Sequence, residues 1–180
     1  MRSNQKSVVL CLAAGLAMLT ALMSNAGPAR ASTAVCPVTH QSFTDSAAHK
    51  AFVVDGKRVA FCCGGCPAKF SANPEKYLTA GQLGSCPVAH GKANKSAALR
   101  VVINNQIQYF CCPGCPGKYS ATPSDYVTSL PDVVTGKTFK VAKSSPRSEY
   151  KGQVYLFASA TNKAAFDKAP ARYAVVFGKG

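Results

Sequence analysis

Residues 61–78 read FCCGGCPAKFSANPEKYL, and the same pattern of thiols, prolines and aromatics returns 49 residues later as FCCPGCPGKYSATPSDYV, residues 110–127. Each copy follows its own Cys-Pro-Val-x-His, CPVTH at 36–40 and CPVAH at 86–90. A segment that repeats with its cysteines in place is one small structural unit written twice. A single C-x-x-C is ambiguous. A separated knuckle cysteine followed by a cysteine cluster, present twice, points towards metal binding.

Upstream of Cys62, the stretch FVVDGKRVAF (52–61) alternates and carries Asp55-Gly56, a two-residue hairpin signal. A strand ending at Phe61 delivers Cys62 and Cys63 to the end of the hairpin. Pro67 suits the first turn of a helix, where its missing N–H would have no partner. Asn73-Pro74 ends that helix, and a second short helical turn follows over 74–78. RVVINNQIQYF (100–110) repeats the hairpin with Asn104-Asn105 at its turn, since asparagine tolerates positive φ. Gly81-Gln82-Leu83-Gly84 connects the two units and is short enough that they pack together or lie side by side.

A third copy lacks the sulfurs. YKGQVYLFASATNKAAFDKAPARY (150–173) aligns Gly152 with the hairpin turn, Phe157 with Phe110, Phe166 with Tyr119, Pro170 with Pro123 and Tyr173 with Tyr126. Ala158, Ser159 and Asn162 stand where Cys111, Cys112 and Cys115 stood, and Asp132 falls about where Cys86 would. The expected fold is α+β: tandem small treble-clef-like modules, each a β-hairpin followed by one or two short helices. The units span 32–82, 83–130 and 131–180, the last without cysteines.

GKRVAFCCGGCPAKFSANPEKYL and its second copy resemble the YHS domain, within the wider TRASH-like group of small metal-binding modules. The family pattern is a knuckle cysteine, then C-x-x-x-C at a strand-to-helix junction, then Phe, Asn/Asp-Pro and Tyr. Cys36, Cys62 and Cys66 fill those cysteine positions in the first unit, and Cys86, Cys111 and Cys115 fill them in the second. The third unit resembles the thiol-free branch of YHS domains. The resemblance implies three tandem copies with heavy-metal ions as ligands. His40 and His90 stand where the family pattern leads one to expect small residues, so a ligand role for them is not implied by it.

Thiolates suit a soft or borderline cation, and tetrahedral geometry needs four ligands from at least two chain segments. Cys62 and Cys66, or Cys111 and Cys115, present two sulfurs across a strand end and a first helical turn, and Cys36 or Cys86 supplies a third. The fourth is Cys63 or Cys112, or else His40 or His90. Zn(II) suits a Cys3His site and Cu(I) a three-thiolate site with an open position, about one ion per cysteine-bearing unit. His49 has no counterpart in the second unit and is read as a surface residue. Phe61, Phe70, Tyr77 and their equivalents are read as core.

The N-terminus reads as a signal peptide, residues 1–31. Arg2 and Lys6 precede an apolar run from Val8 to Leu22, and Ala29-Arg30-Ala31 fits a small-x-small cleavage site. The run is shorter than the roughly 20 residues that span a bilayer, so no membrane-spanning segment is expected after cleavage. Localisation is then periplasmic or extracellular. Of 180 residues, removing 31 leaves 149, and 50-residue units lie near the limit of a self-sufficient core. Setting aside Arg2, Lys6 and Arg30 from 21 Lys+Arg leaves 18 against 7 acids. These cations are scattered singly, with no basic helix face, so nucleic acid is not an expected partner.

The sequence therefore reads as an exported heavy-metal-binding protein for sequestration, sensing or delivery in the cell envelope. An envelope metal-transport protein is a candidate partner. No triad, carboxylate pair or phosphate loop appears, and no enzymatic activity is expected. Two other readings stay open: a thiol-disulfide redox protein using Cys63-x-x-Cys66 and Cys112-x-x-Cys115, or a disulfide-stapled interaction module.

Overall fold

The computed structural model describes residues 32–178; the segment read as a signal peptide lies outside the described residues. The fold is α+β, with small hairpins and short helices in alternation. A ribbon of β1 (Ser32–Val35) and β2 (Ser42–Asp45) leads into the hairpin β3 (Ala51–Val54) and β4 (Lys57–Ala60), then α1 (Cys66–Ala72) and α2 (Pro74–Tyr77). The hairpin β5 (Arg100–Ile103) and β6 (Gln106–Tyr109) is followed by α3 (Gly114–Ala121) and one 3-10 turn. A ribbon of β7 (Ser129–Pro131) and β8 (Thr138–Lys140) precedes the hairpin β9 (Arg147–Tyr150) and β10 (Gln153–Leu156). Then come α4 (Ala160–Lys168) and α5 (Pro170–Tyr173).

Each of the three tight turns places two residues at positive φ: Asp55 and Gly56, Asn104 and Asn105, Lys151 and Gly152. That backbone matches the right-handed twist of the flanking strands. The hairpins do not stay separate. They join edge to edge in one six-stranded sheet, order β4-β3-β6-β5-β10-β9. Pairing is antiparallel within each hairpin and parallel at the two junctions, where Val54 lies opposite Ile107 and Val154 opposite Ile103.

The residue opening each of the first two turns locks the next hairpin in place. The Asp55 N–H donates to the Ile107 carbonyl at 2.8 Å. Its carboxylate accepts from the N–H groups of Tyr109 (2.7 Å) and Gly84 (2.9 Å) and from Gln108 Nε2 (2.8 Å). Asn104 does the same one step on. Its N–H donates to the Val154 carbonyl, and its Oδ1 accepts from the Leu156 N–H at 2.7 Å. Its Nδ2 donates to the carbonyls of Leu156 and Pro131. Short edge strands bearing Lys57, Arg58, Arg147 and Glu149 close the sheet at either side, where charge discourages further pairing.

Three aromatic cores lie under the helices. Phe61 meets Phe70 at 5.2 Å between ring centroids, Phe110 meets Tyr119 at 5.0 Å, and Phe157 meets Phe166 at 5.2 Å. All six are buried, and each ring contributes on the order of 1.5–3 kcal/mol by leaving water. The helices start where the chain chemistry allows. Pro67 and Pro74 sit in first turns, Asn73 accepts from the Lys76 N–H, and Ser159 accepts from the Asn162 N–H.

The segment 174–178 then runs back across the sheet into the first core. The Asn105 amide holds it by donating to the Tyr173 carbonyl and accepting from the Val175 N–H. The Gln153 amide, turned so that each atom meets its complement, binds the Val175 carbonyl and the Phe177 N–H. Phe177 packs edge-on to Phe52, and the Gly178 N–H donates to the Ser71 carbonyl at 2.7 Å. Arg100, paired with Glu75 at 2.6 Å, donates to the Gly178 carbonyl as well.

Candidate metal centre

The first cysteine knuckle is a tight backbone loop. The Cys36 N–H donates to the Gln41 carbonyl at 2.9 Å, and the His40 N–H returns to the Cys36 carbonyl at 2.8 Å. His40 closes this loop at φ 59°. Cys86 pairs with Gly91 and His90 in the same manner, and His90 sits at φ 57°. Opposite each knuckle, Cys62 and Cys111 leave the hairpin, and Cys66 and Cys115 enter the helix.

The sulfurs of Cys36, Cys62 and Cys66 lie within 4.8 Å of one another, and so do those of Cys86, Cys111 and Cys115. The knuckle and helix cysteines of each trio are buried and the strand cysteine is half-buried. All eight described cysteines are free thiols. Such a trio is the donor set a soft cation takes, and these residues fit one.

Four other candidate ligands stand differently. Cys63 and Cys112 are exposed, outside the trios, with sulfurs 3.3 Å from those of Cys66 and Cys115. His40 and His90 are exposed and do not enter either trio. Their place in the knuckle is a backbone position at positive φ, which the third knuckle fills with Gly136 at φ 71°.

The trios are electrostatically primed. Burial alone would push the Cys36 thiol up, but hydrogen bonds from the Cys62 backbone and from Thr39 outweigh it and bring it down to about 6. Cys86 falls to about 7 against the same burial penalty, through N–H groups of Ala89, Cys111 and Val88. Burial, with the neighbouring sulfurs of Cys63 and Cys36, pushes Cys66 up to about 12. Cys115 rises to about 12 chiefly through its contact with Cys112, then through burial. In each trio the knuckle thiol ionises easily while the helix thiol holds its proton, which a bound cation would displace.

In the third hairpin region hydrogen bonds fill the corresponding space. Asp132 is fully buried, its N–H donates to Lys137, and the Gly136 N–H returns to its carbonyl. Asp132 Oδ2 accepts from the Ala158 N–H and from Asn162 Nδ2, both at 2.9 Å, while Oδ1 accepts from the Val134 N–H. The sequence places Ala158 and Asn162 opposite two missing cysteines. It carries no signal that Asp132 and Asn162 bond to each other.

The YHS domain family matches residues 136–175. The match falls within the cysteine-free region and does not extend over either trio. Comparison with curated proteins and with solved structures returns no match. Among the described residues, no helix is long and apolar enough to cross a membrane.

Proposed function

We propose that this protein carries thiophilic metal ions in the cell envelope, one at each trio, with Cu(I) preferred over Zn(II). The observation that carries the reading is the pair of three-sulfur clusters, each assembled from a knuckle, a strand end and a helix start. Three sulfurs, two buried and one half-buried, suit a trigonal monovalent d10 ion, whereas a structural Zn(II) site wants a fourth ligand. His40 and His90 stand outside the trios and do not offer one.

In this reading residues 1–31 direct export, and 32–82, 83–130 and 131–180 are three related YHS-like copies. The third copy serves as structural support or as a docking module for an envelope metal-transport protein. The protein sequesters, senses or delivers the ion and performs no catalysis. The test is metal analysis and a free-thiol count on chain purified without oxygen. Two Cu(I) per chain are expected, one after Cys66→Ser or Cys115→Ser alone, and none after both. Reduced, folded chain that takes up no metal would overturn it.

A further inference from the structure

Resting on the metal reading above, we propose that each trio carries its own redox latch: Cys63 and Cys112 form disulfides with Cys66 and Cys115 and so dismantle the metal site. Cys63 lies 3.3 Å, sulfur to sulfur, from Cys66, and Cys112 lies 3.3 Å from Cys115. Within the trios the spacing is wider, 3.9 Å for Cys62 to Cys66 and 4.0 Å for Cys111 to Cys115. Cys66 and Cys115 thus lie closer to a sulfur outside the trio than to the strand sulfur within it.

Exposure assigns the roles. Cys63 and Cys112 are open to solvent, while Cys66 and Cys115 are 3% and 4% exposed. A disulfide oxidant from outside reaches the first pair and not the second. Nothing packs against the turn between them: a Cβ added at Gly64, Gly65 or Gly114 would meet nothing within 4 Å. A disulfide is about 2.0 Å long, so the sulfurs need to close by little more than about 1 Å.

The chemistry balances as thiol–disulfide exchange. The Cys63 thiolate attacks one sulfur of an external disulfide, whose S–S bond breaks, releasing one thiolate and leaving a mixed disulfide on Cys63. The Cys66 sulfur then attacks the Cys63 sulfur and expels the second thiolate. Two protein thiols are oxidised, one external disulfide is reduced to two thiols, and the oxidation state of the bound ion does not change. Only Cys36 and Cys62 remain to the ion, two ligands where three had been. Occupancy and disulfide are mutually exclusive because Cys66 serves both. The third hairpin, with Ser159 and Asn162 in these positions, has neither function.

The test loads the whole anaerobic chain with two equivalents of Cu(I) and adds oxidised glutathione beside a chromogenic Cu(I) chelator. Disulfides are then mapped by peptide mass spectrometry. Wild type should release both ions as Cys63–Cys66 and Cys112–Cys115 bonds appear. Cys63→Ser/Cys112→Ser should still bind two Cu(I) and release them at least about tenfold more slowly, lacking the attacking thiol. Cys63→Ser alone should release one ion fast and one slowly, an internal control within one folded chain. Equal release from the double variant, disulfides at other pairs, or oxidised chain that keeps its ions would each overturn the latch. Reduced chain that takes up no Cu(I) fails the metal reading instead, and the latch falls with it.

Discussion

Asn162 donates its Nδ2 hydrogen to Asp132 Oδ2 at 2.9 Å, at the positions where the first two units carry Cys66 with Cys36 and Cys115 with Cys86. One hydrogen bond does there what a shared cation would do in the trios, joining knuckle to helix start. The replacement should be reversible. Asp132→Cys/Ala158→Cys/Asn162→Cys is expected to raise Cu(I) uptake from two ions per chain to three. Stoichiometry by anaerobic titration checks it. Uptake that stays at two would mean that backbone spacing alone does not make the site.

Asp132→Ala removes the acceptor of three donors in a buried site. Leaving such donors unpaired costs roughly 1–3 kcal/mol each before relaxation. A loss of about 3 kcal/mol in denaturant unfolding of the metal-free chain is expected, with little change in metal stoichiometry.

The histidines offer a sharper division. If His40 and His90 serve only the positive-φ corner of the knuckle, His40→Gly/His90→Gly keeps both ions, because glycine adopts that conformation freely. His40→Val should instead weaken the fold by about 1 kcal/mol or more, since a β-branched residue is strained there. Competition against a Cu(I) chelator measures the first outcome. Loss of an ion in the glycine variant would make histidine a ligand.

The segment 174–178 is a strap whose failure should be felt at a distance. A Cβ on Gly178 would lie 2.0 Å from the Ala72 carbonyl oxygen, on the helix that carries Cys66. Gly178→Ala and Phe177→Ala are expected to loosen the first core, the latter by about 3–5 kcal/mol. Hydrogen exchange in 66–72 should quicken and the first ion bind less tightly, while 110–121 and the second ion stay unchanged. Equal weakening of both sites would show that the strap acts on the whole sheet.

Acid should loosen the link between β2 and β4. Paired hydrogen bonds from the Arg58 guanidinium hold the Asp45 carboxyl below its usual range. Because the folded value is depressed, this contribution is complete above about pH 4 and is lost as pH falls through the folded value. An NMR titration should find the Asp45 midpoint below that of a free aspartate, and Arg58→Met should return it upward. An unshifted midpoint in wild type would mean the pair does not persist in solution.

What the sequence disclosed was local. Asp55-Gly56 and Asn104-Asn105 announce their turns because few residues tolerate positive φ. The three sulfurs of each trio follow from spacing at a strand end and a helix start. The junctions were not legible. Whether Asp55 would accept from Gly84 and Tyr109 depends on where another hairpin lies, which no local pattern encodes. Phe177 reads as one more apolar residue near the chain end, and its partner Phe52 is more than a hundred positions away in sequence. Spacing left Cys63 open as a fourth ligand beside His40, and only the fold places it outside the trio and exposed.

Lys151 takes the turn position that Asp55 and Asn104 use to grip the next hairpin. Its side chain is a cation with no acceptor atom, so it cannot receive the backbone N–H that a following strand would offer. Viewed as a polymer built from the first hairpin onward, the sheet has two propagating turns and one chain terminator. Asn or Asp at position 151 would reopen the growing end and make β9, the edge strand, with its turn a seed for side-by-side addition of further copies.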